Sequence, residues 1–229
     1  MGIKPEVRAM LRTFTDMKAM MLGVAIVLGV MAECSQAKAM GTETLVVAGG
    51  CFWCVEADFE KVPGVLEVTS GYAGGSTEDP TYKQVSRGKT GHLEVAAIEY
   101  DPGKVTRAEI LDKFLRSVDV FDEGGQFCDR GFHYTTAIFA TPDQRADAEA
   151  AVARAEAELG QSIVTPIRDA APFYAAEDYH QDFYKGESRI LTRFGPKTKA
   201  EAYKRYRDSC GRDQRVRAIW GDAAPFAGS

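Results

Sequence analysis

The sequence predicts an α+β fold, with helices laid on a small, mostly antiparallel sheet. Strand-like and helix-like runs interleave along the chain, and the central strands read as antiparallel. Across 229 residues, 45% hydrophobic and 27% charged, no internal repeat, low-complexity block or clear linker interrupts them. That composition suits one globular domain with room for a core.

Each element has a local cause. "ETLVVAGG" (43–50) reads as a buried strand that ends in a glycine turn. "CFWCVEADFEKV" follows as a helix, with Val55, Phe59 and Val62 at helical spacing and Pro63-Gly64 as its stop. "VLEVTSGYAGG" is strand-like, and "DPTYKQVSRGKTGH" is a polar connection. "HLEVAAIEYDP" alternates as a strand and closes at Asp101-Pro102-Gly103. In "TRAEILDKFLRSV", Ile110, Leu111, Phe114 and Val118 make one helical stripe, with Thr106 as N-cap. "DEGGQFCDRGFHY" has little periodicity, and "TTAIFAT" is a strand. "PDQRADAEAAVARAEAEL" predicts a long helix with proline at its start, and "SIVTPI" a short strand. "EDYHQDFY" and "KAEAYKRYRDS" read as helical pieces of a tail.

The first 39 residues stand apart. Lys4, Arg8, Arg12 and Lys18 form a positive front end, followed by the uncharged run "AMMLGVAIVLGVMA" (19–32). Ala37-Lys38-Ala39 fits a small-x-small cleavage pattern, so the arrangement predicts a secretory signal cleaved near Ala39. The alternative is an uncleaved anchor through residues 19–32, although the run is shorter than the ~20 residues of a spanning helix. Cys34 follows Glu33, a poor context for lipidation, and leaves with the signal. Cleavage takes away five basic and three acidic residues, leaving 23 and 30, a net charge of −7. The expectation is an exported, periplasmic monomer of residues 40–229, with residues 190–229 as a C-terminal tail. Nothing in the charge argues for nucleic acid.

Four cysteines remain, Cys51, Cys54, Cys128 and Cys210. Cys51 stands at the start of a helix, where partial positive charge and free N–H groups favour a thiolate. Cys51 and Cys54 admit a structural bridge, but so short a loop gains little stability, which favours a redox-active pair. A zinc site would use all four sulfurs, yet only one close pair exists, with 74 residues from Cys54 to Cys128 and 82 more to Cys210. No metal is expected. Phe52 and Trp53 suit core packing, or an apolar wall beside a nucleophile whose substrate bears a small apolar group such as a methyl.

Gly50-Cys51-Phe52-Trp53 with Glu56 resembles the signature of the A-type peptide methionine sulfoxide reductases. "GYAGG" (71–75), "PTYKQVSRGKTGHLEV" (80–95), "DRGFHYTTAIF" (129–139) and "AEDYHQDFY" (176–184) resemble that family in its order, so the likeness spans roughly residues 43–185. It implies a two-layer α/β sandwich with a ferredoxin-like core. It also implies reduction of the S epimer of methionine sulfoxide, free or in proteins, with no bound cofactor and a thioredoxin-like external thiol reductant.

By the same resemblance, Cys51 is the nucleophile, and Phe52 and Trp53 hold the substrate methyl group. Tyr82, Glu94 and Tyr134 gather at the sulfoxide oxygen, and Asp129 orders the site. The chemistry calls for such a set, because a sulfoxide oxygen leaves only when protonated and a buried carboxylic acid can supply that proton. Leu93, Val95 and Ala97 share one face of their strand, which leaves Glu94 with Ala96 and Ile98 on the other, an apolar setting.

The sequence departs from the family pattern after Trp53, where Cys54 replaces the usual glycine, and at Cys128, where asparagine is usual. "YRDSCGRDQRV" replaces the usual glycine-rich tail. Cys54, Cys210 and Cys128 are therefore all candidates for the thiol that resolves a Cys51 sulfenic acid. The rival reading is an exported thioredoxin-like dithiol–disulfide oxidoreductase, with "VTP" (164–166) as its proline turn. An exported zinc or scaffold protein is the non-enzymatic rival.

Overall fold

The computed structural model describes residues 41–192 and 195–228. The signal pattern, Cys34 and the cleavage pattern at Ala39 lie outside the described residues. Residues from Gly41 onward form one unit.

The chain begins with β1 (Glu43–Gly49) and α1 (Phe52–Phe59), then β2 (Val65–Ala73), a single-turn α2 (Tyr82–Val85), β3 (Leu93–Tyr100) and α3 (Arg107–Leu115). The short β4 (Gly125–Gln126) and β5 (Asp129–Arg130) form a separate ribbon, before β6 (Thr136–Ala140), α4 (Arg145–Leu159), β7 (Ile167–Asp169) and β8 (Phe173–Ala175). The tail holds a hairpin, β9 (Arg189–Thr192) and β10 (Gly195–Thr198), followed by α5 (Lys199–Cys210) and α6 (Arg212–Trp220).

The main sheet runs β7-β6-β1-β3-β2-β8. All its neighbours are antiparallel except β6 and β7. Its middle, β6-β1-β3-β2, has α1 crossing from β1 to β2 and α3 from β3 to β6, the split βαβ order of a ferredoxin-like core. The α+β expectation holds.

The main core lies on one face of the sheet. Leu45, Val47, Ala96, Ile98 and Ile138 meet Val55 and Phe59 of α1 and Ile110, Leu111 and Phe114 of α3. Ala148, Ala151 and Ala155 let α4 close in, and Trp220 of α6 joins them. The Thr106 cap is present as a full capping box with Glu109.

Three local expectations change. The strand expected at 162–167 begins only at Ile167, because Pro166 has no N–H and instead offers its carbonyl to Ile138 N at 3.0 Å. The segment 177–184 is turns and a short 3₁₀ stretch rather than helix, since Asp182 turns left-handed at φ 55°. Pro142 precedes α4 instead of starting it, with Gln144 as the N-cap.

Candidate active site

Gly50 sets the geometry of the site. It has φ 79°, and a Cβ there would meet Gln126 Cβ at 2.5 Å, so only glycine makes this turn. Cys51 then stands at the N-cap of α1. One face of α1 packs on the sheet through Val55 and Phe59, while Cys51, Cys54 and Ala57 face Phe183 and Tyr203 of the later chain. Both faces of α1 are buried, which explains why its hydrophobic pattern reads as more than a stripe.

Cys51, Phe52, Trp53, Tyr82, Glu94, Asp129 and Tyr134 line one pocket of about 110 Å³, joined by Tyr206 of α5. Every residue expected around Cys51 is therefore brought together. Glu94 is buried, and its Oε2 accepts a hydrogen bond from Phe52 N at 3.1 Å. The hydroxyls of Tyr82 and Tyr134 are hydrogen-bonded to each other. Tyr206 donates its hydroxyl proton to Asp129. The indole of Trp53 is stacked on Phe183, with centroids 3.7 Å apart and planes 6° off parallel.

Cys51 and Cys54 are free and buried. Cys128 and Cys210, each weighed as a partner for Cys51, are instead bonded to each other, with a Cα–Cα distance of 4.9 Å. Of the three candidate resolving thiols, Cys54 is the one left free beside Cys51.

The peptide methionine sulfoxide reductase family model matches residues 43–220. The chain belongs to that family. It is 50% identical over 193 residues to a peptide methionine sulfoxide reductase of Rhizobium meliloti, covering 84% of this chain and 90% of the relative. One from Caulobacter vibrioides is 45% identical over 181 residues, 79% of this chain and 86% of the relative. Among solved structures, methionine sulfoxide reductase A of Corynebacterium diphtheriae aligns with TM-score 0.56 at 30% identity, covering 69% of this chain and 84% of that one. Reduced Mxr1 of Saccharomyces cerevisiae aligns with TM-score 0.57 at 29% identity, over 61% and 82%.

The electrostatics of this reductase site follow from burial. Desolvation raises the Glu94 carboxyl to about 8, so it carries its proton at neutral pH. Burial also lifts Tyr82, Tyr134 and Asp129. The thiolate expected at Cys51 is not the resting form. Burial pushes the Cys51 thiol up, and its hydrogen bond to Cys54 adds to this. Cys54 is held lower, by that hydrogen bond and, against burial, by the Arg212 and Arg207 guanidiniums. The helix N-terminus is engaged elsewhere, since Phe52 N points to Glu94.

Sequence reasoning missed the supports supplied by the later chain. Arg207 pairs with the buried Asp58 at 2.8 Å, and Arg212 approaches the same carboxylate at 3.9 Å. Glu56 accepts from Ser70 Oγ at 2.7 Å and from Asp182 N at 2.6 Å, which anchors the turn that carries Phe183. Glu177 accepts from Tyr82 N at 3.0 Å and Tyr72 hydroxyl at 2.9 Å, fixing the turn that carries Tyr82. His180 packs its ring against Phe52, Trp53 and Tyr82, and burial lowers it to about 4, leaving it neutral. The acidic residues and the histidine carried no local signal of these partners.

Proposed function

We propose that this chain reduces methionine sulfoxide to methionine at Cys51, with Cys54 as the resolving thiol. The observation that carries the reading is the protonated, buried Glu94 in the same pocket as Cys51, Trp53, Tyr82 and Tyr134. Dithiol exchange alone needs no such acid and phenol cluster, which disfavours the thioredoxin-like rival.

The substrate methyl group packs on Phe52 and Trp53, and the sulfoxide oxygen turns to Glu94, Tyr82 and Tyr134. Cys54, the lower of the two thiols, ionises first beside Arg212 and Arg207, and its thiolate takes the Cys51 proton as the Cys51 sulfur engages the substrate. The Cys51 sulfur then attacks the substrate sulfur as Glu94 gives its proton to the oxygen. The S–O bond breaks, methionine leaves, and the oxygen ends on Cys51 as a sulfenic acid. Cys54 sulfur attacks the Cys51 sulfur, water leaves, and a Cys51–Cys54 disulfide remains. An external dithiol returns the two electrons, and the family resemblance points to a thioredoxin-like one. The A-type resemblance also implies the S epimer, in proteins or free.

The basic front, apolar run and small-x-small pattern of residues 1–39 support export to the periplasm with cleavage near Ala39. Such an enzyme needs its dithiol donor on the same side of the membrane.

A single-turnover assay tests the reaction. Protein reduced at Cys51 and Cys54 is mixed with racemic methionine sulfoxide and no recycling reductant. The expected result is one methionine per chain, consumption of the S epimer alone, and a Cys51–Cys54 disulfide on peptide mapping. No methionine from folded, reduced protein overturns the reading.

A further inference from the structure

We propose that the Cys128–Cys210 disulfide is a redox-controlled clamp on the substrate pocket, positioning Tyr206 against Asp129. This rests on the reaction proposed at Cys51.

The two sulfurs sit beside the two residues that form one wall of the pocket. Cys128 is the chain neighbour of Asp129, and Cys210 follows Tyr206 by four residues of α5, on the same helix face. Tyr206 donates to Asp129, and both side chains line the pocket with Cys51 and Glu94. The Tyr206 ring stands edge-on to Trp53, with centroids 6.4 Å apart and planes at 84°. The disulfide and the Tyr206–Asp129 hydrogen bond therefore join the same two segments one helical turn apart. Ala202 and Tyr206 pack against the cluster around Cys51 and Cys54 on one side and line a groove of about 500 Å³ holding the disulfide on the other.

The clamp is the more exposed of the two cysteine pairs, and so the more open to a small reductant. Cys128 is exposed and Cys210 half-buried, whereas Cys51 and Cys54 are 7% and 2% exposed. A small dithiol reduces the bond by thiol–disulfide exchange. Its two sulfurs become a disulfide, and Cys128 and Cys210 become thiols. The rest of α5 stays anchored through Arg207 to Asp58, so release loosens the wall without freeing the tail. Substrate affinity then changes while the reacting groups keep their places.

The experiment measures single-turnover methionine formation against methionine sulfoxide concentration. Four samples are compared: wild type with Cys128–Cys210 intact, wild type with it reduced, Cys128→Ser and Cys210→Ser. Alkylation and peptide mass spectrometry assign the thiols in each. The expected result is a half-saturating concentration about three- to tenfold higher in the last three samples, the scale of one aromatic contact. The maximal rate stays within about twofold, since a displaced wall weakens binding rather than the bond-breaking step. The reduced wild type carries no substitution, so a folding defect in a variant does not decide the result. Equal half-saturation in all four samples overturns the clamp. Absence of methionine from intact wild type sinks the reaction at Cys51, and the clamp with it.

Discussion

Phe52 donates its backbone N–H to Glu94 across 42 residues of chain, at 3.1 Å in a buried setting. The bond ties the start of α1, where Cys51 stands, to the acid on β3. It also holds the carboxyl in place while burial keeps it protonated to about pH 8.

Glu94→Gln is expected to slow single-turnover methionine formation by about 10²- to 10⁴-fold, the usual worth of a general acid. In wild type the rate should fall as pH rises through about 8, where Glu94 loses its proton. A residual rate in Glu94→Gln that still shows this limb would assign it to another group.

The same carboxyl links stability to pH. Its folded value is raised from 4.5 to about 8, so between those values the folded chain holds a proton that the unfolded chain has lost. Its contribution is therefore lost as pH rises through that window. Glu56, raised to about 7, acts in the same direction. Thermal unfolding of Glu94→Gln against wild type should show the substitution becoming relatively more favourable from pH 5 to pH 9. A constant difference would contradict the burial effect.

Tyr82→Phe and Tyr134→Phe each remove one hydroxyl from the hydrogen-bonded pair in the pocket. Each should lower the maximal single-turnover rate by roughly 10- to 100-fold, at or below the cost of losing one oxyanion donor. The double variant should lose less than the product of the two, because the hydroxyls share a partner. Rapid-quench measurement of the three variants checks both statements.

Cys54→Ser should still yield methionine but stop at a Cys51 sulfenic acid, detectable with a dimedone-type trap and mass spectrometry. The step to methionine should also slow, because the serine hydroxyl is a poorer acceptor for the Cys51 proton. Rapid disulfide formation between Cys51 and Cys210 or Cys128 in this variant would move the resolving role to the tail.

Arg207→Ala leaves Asp58, fully buried, with Arg212 as the remaining guanidinium at 3.9 Å. Breaking such a pair costs about 3–5 kcal/mol, measurable as a lower denaturant midpoint. It should also raise the Cys54 thiol, since Arg207 is one of the charges holding it down. Thiol alkylation against pH reads that second effect.

Much of the sheet and its helices was legible because local spacing encodes it. Leu45 and Val47 alternate on β1, Ile110, Leu111 and Phe114 follow a helical stripe, and Thr106 meets its own Glu109 three residues on. The pocket residues were legible from motifs, and Glu94 from its position opposite Leu93 and Val95. The supports were not. Tyr206, Arg207 and Arg212 sit in segments whose local patterns read only as tail, Phe183 sits in a motif that gave it no role, and each acts through a partner more than 75 residues away. The hairpin of β9 and β10 and the helix α6 went unread for the same reason.

By itself the sequence determined the α+β class, the glycine turn ahead of Cys51 and the family to which the chain belongs. Those depend on near neighbours and on motifs that travel as short strings. The tertiary structure alone decided that Cys128 bonds to Cys210, that Cys54 stays free beside Cys51, and that Cys54 is the lower of those two thiols. A disulfide needs two Cα atoms within a few ångströms, and a buried thiol takes its acidity from the charges packed around it. Both are set by where α5 and α6 come to rest against α1, a placement that no local spacing records.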